Sequence, residues 1–187
     1  MLDRVLTGKS AAFRVTVKGA VSALLVVLAV ALPQFAHMAG GAAAGAKWLP
    51  MYAPALLAGC LLGWQWGLGV GLLSPLASFG FTAAFLGNAM PTAARLPYMT
   101  IELAAFGLIT GLFAKKIRGN AWLAFPAVIL AQLCGRTLYV VYNLIAGQSF
   151  AALWASVQTG LIGMYLQAVI VPIAAVALSA VLKRNDG

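Results

Sequence analysis

Glu102 is the one acidic residue inside the apolar bulk of this chain, since Asp3 and Asp186 are terminal. Arg136 is its lone basic counterpart. A charge at membrane depth costs about 3 kcal/mol or more, so it is normally partnered or functional. Two chemistries are open to the pair: an ion pair holding two helices, or a carboxylate and a planar guanidinium fork offered to a ligand. If either charge is left free, an anionic or zwitterionic ligand is admitted. Tyr139 and Asn143 follow Arg136 at i+3 and i+7 and so share its helical face. Gln158 and Thr159 lie in the outer part of the last apolar segment, with Gln167 deeper. Taken singly, each amide or hydroxyl reads as an interhelical hydrogen bond. Converging in one half of the chain's depth, they would orient a polar small molecule between aromatic walls.

Other chemistries find no residues. No G-x-x-x-x-G-K-[ST] occurs, so ATP is not used through a P-loop of this chain. His37, the single histidine, has no neighbouring carboxylate or cysteine with which to build a metal site, and no cofactor is expected. A Ser/His/Asp triad is not available within the apolar segments, and an enzyme is not expected. Cys60 and Cys134 fit no metal spacing and read as small packing residues.

The elements that position these groups must be membrane helices. The 187 residues are 63% hydrophobic and 8% charged, with a mean hydropathy of +0.98. A bilayer span needs ~20 apolar residues, which leaves room for about six helices in one integral-membrane domain over residues 1–187. Strand-type alternation is absent, so an all-α polytopic bundle is expected rather than a barrel. The spans run over about 17–36, 49–62, 67–81, 98–114, 121–145 and 152–182, with a Gly/Ala-rich connection at 37–47 and a tight turn at Trp64-Gln65-Trp66. Six spans place Arg4, Lys9, Arg14, Lys18, Lys115, Lys116, Arg118, Lys183 and Arg184 on one side and only Lys47 and Arg95 on the other. By the positive-inside rule both termini are cytoplasmic, and the loops around 37–48, 82–97 and 147–151 face out. This bias accounts for most of the +9 net charge without nucleic acid. The basic start and the apolar run from Ala20 to Leu32 imitate a secretory signal, but the span is long for one and five more follow, so cleavage is not expected. Trp48, Tyr52, Trp122 and Trp154 lie near span ends, where they read as interface anchors.

Gly59, Gly63, Gly67 and Gly71 recur every fourth residue, and Gly107 and Gly111 repeat the spacing. Small residues four apart let helices approach closely in lipid, which predicts that the second and third spans pack as a hairpin. Both read as short and carry Pro54 and Pro75. Short, interrupted spans either line a cavity or are accommodated by tilt and bilayer thinning. In the first span Gly19 and Ala23, beside Ser22, offer a small-residue face that packs internally or docks another membrane protein.

Three motifs carry a resemblance: P-x-x-L-A-G-x-x-L-G over Pro54–Gly63, G-x-x-x-G-L-L-S-P over Gly67–Pro75, and E-L-A-x-x-G-L-x-x-G over Glu102–Gly111. With six short spans, small size and both ends inside, the chain resembles the substrate-binding (S) components of energy-coupling factor (ECF) transporters. The resemblance implies a multi-pass protein of the bacterial cell (inner) membrane that captures a vitamin or related micronutrient near the outer surface, capped by the loop between spans one and two. It implies association with a transmembrane coupling subunit driven by two ATPases, followed by toppling in the membrane to release substrate inside. The docking face in that family is commonly A-x-x-x-A on span one, where this chain has Gly19-x-x-x-Ala23. The substrate does not follow from these motifs. Two other readings stand beside it: a proton-coupled secondary transporter with Glu102 as carrier, and a non-transporting scaffold whose polar residues only join helices.

Overall fold

The protein is described here by a computed structural model, which covers residues 8–184. Asp3, Arg4 and Asp186 lie outside the described residues. Those residues form helices and no strand: α1 (Ala11–Trp48), α2 (Tyr52–Leu62), α3 (Trp64–Phe85), α4 (Leu96–Leu112), the short α5 (Ala114–Gly119), a 3-10 turn (Ala121–Leu123), α6 (Ala124–Ile145) and α7 (Phe150–Arg184). Long apolar stretches at Ala11–Gly41, Trp64–Phe85, Ala121–Ile145 and Phe150–Val181 are each sufficient to cross a bilayer, and Leu96–Leu112 is a shorter apolar helix. The protein is therefore an all-helical membrane protein.

Three elements differ from the sequence expectation. The Gly/Ala-rich stretch after the first span is not a loop. It continues α1 as helix on both sides of a kink at Gly40 and Gly41, because alanine is the strongest helix former and only these two glycines leave the helical region, Gly41 at φ +66°. The reversal after α2 is Gly63 alone, at φ +98°, a conformation that L side chains rarely adopt. Trp64, Gln65 and Trp66 are the first turn of α3, which runs for 22 residues and is not short.

The short element is α2. Its 11 residues extend only ~16 Å at 1.5 Å per residue, about half of a ~30 Å hydrocarbon layer. Nine of the 11 are buried, and the helix is in contact with α1, α3, α4, α6 and α7. It is apolar all round because it meets protein all round. Bilayer thinning is not needed to accommodate it.

Glycines set the approach of α2 and α3 to α4. A Cβ on Gly107 would overlap the backbone of Gly67, one on Gly71 the carbonyl of Leu103, and one on Gly111 the backbone of Trp64. On Gly59 it would meet Thr110 Oγ1 and the Gly107 carbonyl, and on Gly67 it would come within 2.7 Å of Gly59 Cα. The glycine repeat thus joins three helices, with α4 against both members of the expected hairpin.

Candidate functional site

The three helices joined by glycines bring the buried charge to its partners. Glu102 on α4 is 0% exposed. Its Oε1 lies 3.1 Å from Nη1 of Arg136 on α6, and its Oε2 accepts a 2.6 Å hydrogen bond from the hydroxyl of Tyr52 at the start of α2. The contact at Oε1 is an ion pair without hydrogen-bond alignment. The carboxylate therefore divides its two oxygens between two helices and does not take the guanidinium as a bidentate fork. Arg136 Nε faces the thioether sulfur of Met164 on α7 at 3.2 Å, and its Cζ lies 5.7 Å and 5.2 Å from the ring centroids of Tyr52 and Tyr139, within cation–π range. Gly160 leaves room for this arrangement, since a Cβ there would stand 2.7 Å from Arg136 Nη2.

Above the pair is a cavity of ≈ 770 Å³, within the size range of small-molecule sites. It lies at the end of the bundle where the 37–48, 82–97 and 147–151 segments meet, those expected from the sequence to face out. Tyr52, Arg136 and Tyr139 line it on the inner side, and His37, Arg95 and Gln148 line it nearer the loops. Tyr98 packs edge-on against Tyr139, with centroids 5.1 Å apart, and forms part of the wall. The Tyr139 hydroxyl donates to Ser156 Oγ at 3.0 Å. Two sets of hydrogen bonds fix the covering segments. Ser78 Oγ donates to the Met90 carbonyl at 2.8 Å while the Met90 N–H donates to Thr82 Oγ1 at 2.7 Å, tying the α3–α4 loop to α3. Gln167 Nε2 donates to the Leu49 carbonyl at 2.7 Å, tying the α1–α2 junction to α7.

Of the residues singled out from the sequence, Glu102, Arg136 and Tyr139 come together, and Thr159 lines the same cavity. Glu102 itself does not line it. Asn143 is buried one turn beyond Tyr139, its amide donating to the Tyr139 carbonyl at 2.8 Å, and does not reach the cavity. Gln158 is exposed and does not line the cavity. Gly19 is half-buried with its Cβ position 3.9 Å from the Trp66 ring, whereas Ala23 is exposed. Tyr52, read from the sequence as an interface anchor, is 3% exposed and holds the carboxylate. Its nearness to a span end gave the anchoring signal, but α2 ends inside the protein. Tyr98 was not singled out, although it precedes Glu102 by four residues and so shares its helical face. Ser156 and Met164 carried no distinguishing signal. Among the described residues no three of His, Cys, Asp and Glu come together in a metal-binding group.

The family model described as ECF transporter, substrate-specific component, matches residues 14–175. The match covers most of the chain, and the protein belongs to that family. The family is one of transporter components and not of enzymes. No curated protein and no solved structure matches the chain.

Proposed function

We propose that this ECF transporter substrate-specific component captures a vitamin or related small micronutrient from outside the bacterial inner membrane. It then delivers the molecule to a transmembrane coupling subunit driven by ATPase subunits. The observation that carries this reading is the ≈ 770 Å³ cavity lined by Arg136, the cationic end of the buried ion pair. A polar group of the substrate would rest on Arg136 and the hydroxyl of Thr159, with its body against Tyr98 and Tyr139. Glu102 acts behind Arg136 by fixing the guanidinium, and Tyr52 fixes Glu102. Asn143 supports the backbone at Tyr139, and Gln158 has no role in this site. Gly19 and Ala23 on α1 would belong to the face that meets the coupling subunit.

The proton-carrier alternative receives less support. A carrier must exchange protons with water on both sides, whereas Glu102 is fully buried, held by two partners and outside the cavity lining. Native mass spectrometry of the protein purified in mild detergent tests the capture reading. A bound metabolite is expected, and an empty protein that also ignores a vitamin panel in thermal-shift measurements would remove it. Uptake in cells should require the ATPase subunits and survive collapse of the proton gradient. The reverse pattern would return the carrier reading to first place.

A further inference from the structure

We infer that the cavity selects a small organic oxyanion carrying a flat ring, with its carboxylate or phosphate oxygens on Arg136, and excludes organic cations. The inference rests on the capture reading above and narrows its substrate class.

The charge inventory of the cavity is one-sided. Among the described residues, its charged or chargeable nitrogen side chains are His37, Arg95 and Arg136, and no aspartate or glutamate lines it. The whole chain has three acidic residues. Two are at the termini, and the third, Glu102, is engaged through both oxygens behind the cavity wall. The Glu102–Arg136 pair is therefore an oriented dipole. Its negative end is sealed between α2 and α4, and its positive end, with the Arg136 side chain 11% exposed, faces the cavity.

The guanidinium also keeps capacity for a second anion. Of its five N–H donors, Glu102 engages Nη1 from a single oxygen, the Tyr52 hydroxyl oxygen is a further neighbour, and Nε faces a thioether, which is a weak acceptor. An oxyanion would supply the acceptors that this fork is shaped to take. An organic cation would find no carboxylate on the described lining and no aromatic cage, since Tyr98 is the single tyrosine ring there not already beside Arg136. The rings of Tyr52 and Tyr139 already lie within cation–π distance of Arg136 itself. The ammonium of a zwitterion meets the same lack. Tyr98, half-buried and edge-on to Tyr139, is the surface left for a flat ring.

The test uses the full chain in mild detergent and a bacterial metabolite extract separated by ion exchange into anionic, neutral and cationic fractions. The anionic fraction is expected to raise the thermal midpoint, and the other two are not. Treating that fraction with a phosphatase separates the two sources: a lost shift identifies a phosphate ester and a retained shift a carboxylate, either one an oxyanion. The double variant Glu102→Gln/Arg136→Gln, which leaves no buried unpaired charge, should lose affinity for the bound species by about 10-fold or more, the loss expected for charge-assisted hydrogen bonds. Should that variant not fold, Gly160→Ala keeps both charges while crowding Nη2 and should weaken the same binding. Stabilisation by the cationic or neutral fraction alone would overturn the oxyanion assignment and leave the capture reading standing. Full affinity in these variants would also overturn it. A response to no fraction would remove the capture reading, and the assignment with it.

Discussion

At the residue scale, the cost of burying Glu102 and Arg136 is offset only while both are present. Removing one strands the other without a partner, which typically destabilises a protein by about 3–5 kcal/mol, whereas removing both is far less costly. Glu102→Gln and Arg136→Gln should each lower stability by about that amount, and the double variant by clearly less than their sum. A double-mutant cycle from reversible denaturant unfolding in detergent measures this coupling, and additive losses would contradict the geometry. Gly160 gives a second prediction of a different kind. Its missing Cβ makes space for Arg136 Nη2, the far end of a flexible side chain, so Gly160→Ala should change stability by about 1 kcal/mol or less while weakening ligand binding several-fold. Equal ligand affinity measured by titration would show that the guanidinium position is not critical. Glu102 and Arg136 were legible in the sequence because charges are rare among apolar residues. Tyr52 was not, because a tyrosine near the end of an apolar segment gives the same signal whether that end meets headgroups or a protein interior.

At the element scale, α2, α3 and α4 are held at backbone distance by glycine. Helices in lipid gain no hydrophobic driving force from associating, so close packing and local polar contacts carry the association. A methyl group on Gly107 would overlap the Gly67 backbone, which cannot move aside as a side chain would. Gly107→Ala should therefore destabilise by about 2 kcal/mol or more and displace Glu102 from Arg136. Gly69 lies in the same glycine-rich stretch with nothing within 4 Å of its Cβ position. Gly69→Ala should be neutral or stabilise α3 by up to about 1 kcal/mol. Comparing the unfolding midpoints of the two variants separates packing from composition. The spacing of four marked these glycines as contact residues. It did not say which helix they meet, because every face of α2 is apolar and its sequence has no polar side to define an outside.

At the scale of the whole molecule, the capture proposal requires the cavity to open at the outer end, the orientation that the positive-inside rule predicts from lysine and arginine. Arg95 lines the cavity, and Lys116 belongs to α5 at the opposite end of α4. In a background lacking Cys134, Arg95→Cys should react with a membrane-impermeant maleimide added to intact cells. Lys116→Cys should react only after the membrane is opened. The opposite pattern would invert the protein and place the cavity on the cytoplasmic side. The cavity cannot be assembled by one segment, since it draws residues from α1, α2, α3, α4, α6 and α7 and from the α3–α4 loop.

Composition and segment length alone determined the solvent and the class: a chain this apolar must satisfy its backbone internally, and helices do so without a partner strand. The rarity of Glu102 and Arg136 likewise marked the pair. Only the tertiary structure decided that α2 is an interior helix and that Tyr52 shares the carboxylate. It also decided that Arg136 faces the cavity while Glu102 lies behind it. Those outcomes depend on which faces of six helices meet. Apolar residues on every side of a membrane helix carry no periodic signal to fix that choice, and it falls instead to glycine contacts and a few buried polar partners.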